Sequence, residues 1–481
     1  MLRVILDVVA FSLCVAIFAK VRSRHARQAV LLIASYAFYL SWGTWFAVVL
    51  LTSTGMNFLV GKWLRRKNSG LALAIGILLN LTFLSTFKYL PEAAVTLPIS
   101  SLQRFAHLVL PLGISFWTFQ AMSYLFDLYR GEELDPTLVE FALYMAFFPV
   151  VISGPICRLP DMLPQFRAEK STSWDEVGAG FRRIATGVFM MQLAQLLGQG
   201  ILGGDGINSG FDRVARWSGA DVWCLAFGFG LQLFFDFAGY SHIAIGAAQA
   251  LGFTVPENFE RPFHSTTPSV FWTRWHMSLS FWIRDYIFLP VAMLRREVWW
   301  RNLGLIISMV IFGLWHKASV LFLLWGCYHG VLLVLHRQVQ GLQRRFTWEP
   351  PAKIWTPLSW AATITLISLG WIFFRAGSLS QAGQMLSAIF YPRSYAGHSL
   401  SLSLYVLVTV LALGYAVVLK IGTVLDRYAA EPASPNSGPA ALLARWRWFW
   451  VPSVYLLALL FVLIITQSQG GGAALLMYRR F

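Results

Sequence analysis

The stretch LGLIISMVIFGLWHKAS, residues 303–319, decides how the chain is read. A nearly unbroken apolar run ends in a histidine, His316, followed by a lysine, Lys317, where the neighbouring residues suit lipid or a dry interior. Ionisable groups inside a membrane are costly enough to count as functional by default. A lysine at the end of a span ordinarily reaches the interface along its own methylenes. That leaves His316 as the residue to explain.

The rest of the chain agrees that the solvent is a bilayer. Of 481 residues, 57% are hydrophobic and only 12% charged, against roughly a quarter charged in soluble domains. Apolar stretches near the ~20 residues a spanning helix needs lie at 5–20, 30–60 (as a short hairpin), 71–87, 109–128, 141–156, 184–201 and 222–237. Others lie at 303–315, 320–336, 355–374, 402–419 and 449–465. Some are short or broken by Gly and Pro, so the expectation is an all-α integral membrane protein of about eleven transmembrane helices plus re-entrant helices. It is read as a single polytopic membrane domain, 1–481, with a catalytic core at about 222–336 and a flexible Pro/Ser linker at 429–441 between late spans.

The net charge of +16 does not point to nucleic acid, because the basic residues stand between the spans, where they set membrane orientation. VRSRHAR (21–27) and KWLRRK (62–67) read as cytoplasmic loops, which requires the chain to turn back near SWGTW (41–45). The first apolar run precedes its basic cluster and shows no clear small-residue cleavage site, so it reads as an uncleaved first span. Cys14, Cys157, Cys224 and Cys327 are scattered without a Cys-x-x-Cys pair. Buried thiols, rather than a disulfide framework or a thiolate metal site, are expected.

Three constellations carry candidate chemistry. On a helix through LQLFFDFAGYSHIAIG (231–246), Gln232, Asp236 and Tyr240 stand four apart on one face. That face must look into protein or a water-filled cavity. In PSVFWTRWHMSLSFWIRDYIF (268–288), read as one helix, Arg274, Ser278 and Asp285 share a face, and His276, Ser280 and Arg284 lie nearly opposite. A helix with two polar faces cannot be lipid-exposed. Arg274 and Asp285 read as structural pairs, with each other or with neighbours. The third constellation is His316 itself with Trp315, Lys317 and, in WGCYHG (325–330), His329.

His276, His316 and His329 all stand in apolar surroundings, and such a number invites a common purpose. None of the nine histidines has a partner four residues away, so no helical metal-ligand pair is present. No Gly-x-Ser-x-Gly elbow or phosphate-binding loop of the P-loop kind is present either. A histidine general base is the economical chemistry that remains. Burial beside an ammonium is expected to hold the His316 ring in its neutral, proton-accepting form.

The chain resembles the membrane-bound O-acyltransferases. GLWHKAS, ENFERPF…FWTRWHMSLSFWIRDYIF (257–288), FFDFAGYSHIAIG (234–246) and PLGISFWTFQAMSYLFDLYRG (111–131) carry the likeness, which runs in order over about 27–465. It is nearest to the bacterial polysaccharide O-acetyltransferase branch typified by the alginate O-acetylation membrane subunit. The resemblance implies helices ringed around a central catalytic tunnel where a cytoplasmic acyl thioester meets an acceptor from the other side. It puts His316 on the family's catalytic histidine and His276 on the second, in Arg-Trp-His. His316 then activates a hydroxyl for attack on the thioester, or carries the acetyl group briefly itself. Two positions depart from the pattern: Lys317-Ala318-Ser319 replaces Gly-Ala-Asn, and His242 replaces the Asp of Gly-Tyr-Ser-Asp.

The resemblance further implies acetyl-CoA as acyl donor, no tightly bound cofactor and a bacterial inner-membrane location. The acceptor is an exported or cell-wall polysaccharide, alginate- or cellulose-like, reached directly or through an extracytoplasmic acetyltransferase partner. A basic patch for the donor's phosphates is available in LRREVWWR (294–301), although a positive-inside loop with interfacial tryptophans explains that segment as well. The rival readings are a membrane transporter, for which no inverted repeat is visible, and a non-catalytic scaffold of a polysaccharide synthesis complex.

Overall fold

Apolar runs fold as helices here because a backbone in lipid has to satisfy its own hydrogen bonds. The computed structural model describes residues 2–96, 99–169, 172–201, 203–212, 217–346 and 351–430. The chain begins with α1 (Leu2–Lys20), α2 (Arg24–Leu40), α3 (Thr44–Arg66), α4 (Gly70–Lys88), α5 (Leu90–Thr96), α6 (Ser100–Gln103) and α7 (Ile114–Tyr129). It continues through α8 (Leu138–Ala146), α9 (Leu159–Arg167), α10 (Trp174–Gln199), α11 (Ile207–Asp212), α12 (Gly219–Ala250) and α13 (Pro268–Arg274). The last helices are α14 (Met277–Ile283), α15 (Leu289–Met293), α16 (Val298–His316), α17 (Val320–Arg345), α18 (Ala352–Arg375), α19 (Leu379–Phe390) and α20 (Leu402–Ala430).

Among the described residues the only extended pairing is an isolated antiparallel bridge between Phe259 and Trp275. Seven helices there are long and apolar enough to cross a membrane: α3, α4, α12, α16, α17, α18 and the Leu402–Ile421 part of α20. The protein is an all-helical, multi-pass membrane protein. The expected span at 449–465 and all but the first two residues of the 429–441 linker lie outside the described residues.

The hairpin expected at 30–60 is present as α2 and α3, which turn at Ser41–Gly43 with Gly43 at φ +148°. The run at 141–156 is not a span. α8 stops at Ala146, and Pro149 follows close behind, where it removes a helical N–H and biases its predecessor toward extended backbone.

The described helices group into two compact units, with the division falling inside α10 and α12. One unit holds the residues up to Ile184 with Ser241–Glu260 and Trp272–Arg296; the other holds Ala185–Tyr240, Arg261–Phe271 and the residues from Glu297 onward.

In the first unit α3, α4 and α7 pack through small and amide side chains. Gly61 lies under Tyr124, whose hydroxyl would stand 2.3 Å from an added Cβ. Asn57 and Asn80 exchange amide hydrogen bonds of 3.2 and 2.7 Å between α3 and α4. Such a bond averages only about 0.6 kcal/mol in a bilayer, so the pair sets the register of the two helices more than their strength.

A charged anchor holds α8 in the same unit. Thr137 and Glu140 form a capping box, and the fully buried Glu140 carboxylate also accepts from Arg24 at 2.6 Å and from Arg167 twice at 2.9 Å. Burial alone would raise this carboxyl, but the bonds from Arg167, the Thr137 N–H and Arg24 outweigh it and hold the group at about 2, below its ordinary 4.5.

Glu140 therefore contributes stability that is fully present above pH 4.5 and is lost as pH falls toward 2. Glu140→Gln is expected to lower stability at neutral pH by about 2 kcal/mol. Its thermal unfolding midpoint in detergent, measured against pH, should converge with that of the wild type in acid. Curves that stay parallel would show that the carboxylate's charge does not matter.

Candidate active site

Each unit holds its own histidine environment. In the second unit α16 and α17 form a close antiparallel hairpin with glycines at its seam. A Cβ on Gly313 would stand 2.2 Å from the Phe322 carbonyl oxygen, one on Gly326 would stand 2.5 Å from that of Met309, and one on Gly330 would stand 2.8 Å from the Ile306 Cα. Gly326 and Gly330 are four apart, the small-xxx-small spacing that lets membrane helices touch backbone to backbone. The same spacing stands in WGCYHG (325–330), a signal in the sequence that its histidine overshadowed.

The seam fixes His316 at the C-terminus of α16, buried at 8% exposure. Its ring is stacked on Phe312 at 5.3 Å, lies 4.6 Å from Trp315 and 6.0 Å from Phe322, and meets Trp325 at 5.9 Å and Phe374 at 5.1 Å edge to face. Phe374 comes from α18, so three helices contribute to one aromatic enclosure. Trp325 also touches His329, with ring centroids 4.9 Å apart. His329 is fully buried and occupies the space left by Gly370, whose missing Cβ would stand 2.4 Å from the His329 Nε2. Lys317, by contrast, caps the helix with an exposed side chain, a favourable place for a cation at the negative end of a helix dipole.

α12 carries Gln232, Asp236 and Tyr240 in this unit. Gln232 and Asp236 are buried and Tyr240 is half-buried, in keeping with an inward-facing stripe. Across the most apolar window of α12, 89% is buried, which makes it an interior helix rather than a lipid-facing one.

The first unit holds His276, and there the continuous helix expected over 268–288 is corrected. α13 ends at Arg274, His276 sits at φ +45° in the left-handed region, α14 begins at Met277, and a π-helical turn covers Arg284–Phe288. The interruption comes from a distant segment, ENFE (257–260). The Glu260 N–H donates to the Arg274 carbonyl at 3.0 Å and the Met277 N–H to the Asn258 carbonyl at 2.8 Å, bracketing the Phe259–Trp275 bridge.

Ser278 locks the arrangement. Its hydroxyl donates to Asn258 Oδ1 at 2.6 Å and accepts the Ile156 N–H at 3.0 Å, while Asn258 Nδ2 donates to Ser241 at 3.1 Å. His276 is thereby held at 2% exposure, stacked on Phe116 at 6.5 Å. A non-glycine residue in the left-handed region costs on the order of 1–2 kcal/mol, a strain that persists only where the surroundings over-determine it.

Two opposed helix faces do not survive this break. Asp285 pairs with Arg158 at 2.6 Å and Arg284 at 2.7 Å rather than with Arg274. Arg284 is exposed, and the half-buried Ser280 donates to the Trp275 carbonyl at 3.0 Å. Asn258, Ser241 and Arg158 were missed, because the helical period of one segment carries no information about its tertiary partners. Among the described residues no group of His, Cys, Asp or Glu is gathered to hold a metal ion.

A multi-pass helical membrane protein with buried, aromatic-enclosed histidines is the class that fold and site define. The model of the family MBOAT, membrane-bound O-acyltransferase, matches residues 59–376, and the chain belongs to that family. A probable alginate O-acetylase AlgI of Pseudomonas aeruginosa is 33% identical over 380 residues, 76% of this chain and 70% of the relative. The peptidoglycan O-acetyltransferase of Helicobacter pylori is 30% identical over 396 residues, 75% and 73% of the two chains. The teichoic acid D-alanyltransferase of Bacillus subtilis is 28% identical over 290 residues, 55% of this chain and 68% of the relative. The chain is an acyltransferase, acting between an acyl donor and an acceptor, and the transporter reading is set aside.

Proposed function

We propose that this acyltransferase resides in the bacterial inner membrane and moves acetyl groups from cytoplasmic acetyl-CoA for O-acetylation of an exported or cell-wall polysaccharide, alginate- or cellulose-like. The acetyl group reaches the polymer directly or through an extracytoplasmic acetyltransferase partner. His316 is the catalytic base and His276 the second catalytic histidine, with the polar residues around each in supporting roles. The observation that carries the assignment is the enclosure of His316 by five aromatic rings at a helix end. Water-poor surroundings of that kind favour acyl transfer over hydrolysis of the thioester.

In the reaction His316 takes the proton of an acceptor hydroxyl as its oxygen attacks the thioester carbonyl. The C–S bond then breaks, and the departing thiolate recovers the proton. The glycan acceptors named for the Pseudomonas and Helicobacter relatives support an acetyl group and a polysaccharide.

The test uses proteoliposomes with labelled acetyl-CoA on one side and oligosaccharide acceptor, with or without a partner acetyltransferase, on the other. Label is expected in ester linkage on the far side, with free CoA released on the near side. Label crossing only as free acetate, or as intact acetyl-CoA, would refute the reading.

A further inference from the structure

The second unit also carries a cleft of about 1200 Å3 whose walls include Trp217, Gln384, Tyr391, Arg393, His398 and Ser399. Its side of the membrane follows from charge. α16 starts after Arg295 and Arg296, α17 ends at Arg344 and Arg345, and α18 begins beside Lys353. Those ends are cytoplasmic by the positive-inside rule, so α18 delivers the 376–401 segment to the opposite, outer face.

The cleft is preformed. Buried Asp221 accepts from the Ser399 N–H at 2.8 Å, the Leu400 N–H at 3.2 Å and the Tyr405 hydroxyl at 2.6 Å. Ser394 donates to the Ala388 carbonyl at 2.6 Å and accepts the Gly219 N–H at 3.2 Å. Tyr395 lies across Gly219, where a Cβ would stand 2.3 Å from its ring, and accepts from Trp223 at 3.2 Å. A rim held this way binds without an ordering cost.

We propose that this outer cleft is a binding site for an acidic polysaccharide. Its volume exceeds the ~300–1,000 Å3 of small-molecule pockets, which suits a segment of polymer. Trp and Tyr offer amphipathic faces whose negative quadrupole attracts the C–H bonds of a sugar ring. Gln384 and Ser399 supply amide and hydroxyl partners. Arg393 is exposed, and no carboxylate is among the described residues that line the cleft, so the charge is complementary to a uronate. An interfacial aromatic belt accounts for exposed rings but not for the polar side chains of Gln384, Arg393 and Ser399 set among them.

The inference rests on the polysaccharide reading above only for its part in transfer. Binding is therefore measured without acetyl donor, on the full chain in nanodiscs, by calorimetry with uronate oligosaccharides and neutral gluco-oligosaccharides of matched length. The uronate is expected to bind about tenfold more tightly than the neutral chain, less tightly as salt rises, and about tenfold more weakly to Arg393→Glu. Arg393→Lys should restore the preference, and Tyr391→Ala should weaken both ligands.

Equal binding of the two oligosaccharides, or binding indifferent to all three variants, overturns the proposal. So does loss of affinity only for an extracytoplasmic acetyltransferase, which makes the cleft a protein-docking surface. Oligosaccharide binding that persists in a protein unable to acetylate any glycan would instead refute the functional reading and leave the cleft standing.

Discussion

His316→Ala is expected to reduce acyl transfer by roughly 100- to 10,000-fold, the range a positioned general base contributes, while the protein reaches the membrane in normal amount. Placement is the reason. The imidazole terminates α16 within a shell of rings from three helices, so another side chain could reach its place only by moving that shell. Truncation leaves a hole of imidazole size between Phe312, Phe322 and Phe374. Added imidazole should therefore restore part of the rate, which it would not do if the residue only supported packing. The readout is labelled acetyl transfer at matched protein levels, with thermal unfolding as a control. Transfer at the wild-type rate would remove His316 from the mechanism.

The second large effect is expected from a single methyl group. In Gly313→Ala the new Cβ would meet a backbone carbonyl at 2.2 Å, whereas ordinary contact begins near 3.4 Å. Backbone cannot rotate aside as a flexible side chain can, so α16 and α17 must separate by about 1 Å at the turn before His316. Overpacking of this kind costs about 1–3 kcal/mol. The larger consequence is geometric, since a 1 Å displacement of a reacting group can cost about 100-fold in rate. The variant should thus lose far more activity than its modest drop in unfolding temperature suggests. Full activity would mean that the helix seam does not set the histidine's position.

Much of the molecule was legible in its sequence. Apolar run length and basic punctuation located the long spans, because bilayer thickness and backbone satisfaction leave few alternatives. The four-residue spacing of Gln232, Asp236 and Tyr240 identified an inward face on α12, and the cost of burying an imidazole singled out His316. The segment around His276 was not legible as drawn. Its composition fits a helix, and only the distant strand-like ENFE, through Asn258 and the bridge at Trp275, breaks it. Periodicity reports what a segment prefers alone, and a tertiary partner overrode that preference. The likeness of RWH and GLWHKAS to a family motif marked both histidines without revealing how either is held.

The glycine seam of the α16–α17 hairpin has a consequence for how the protein can change over time. Its inner face is fixed at Gly313, Gly326 and Gly330, where even one added carbon collides with backbone. Its outer face presents Ile307, Ile311, Leu323, Leu324, Val331 and Leu335, where one aliphatic side chain can replace another at little cost. Descendants can thus drift toward thicker, thinner or differently composed membranes by altering one side of the hairpin, while the side that positions His316 stays frozen.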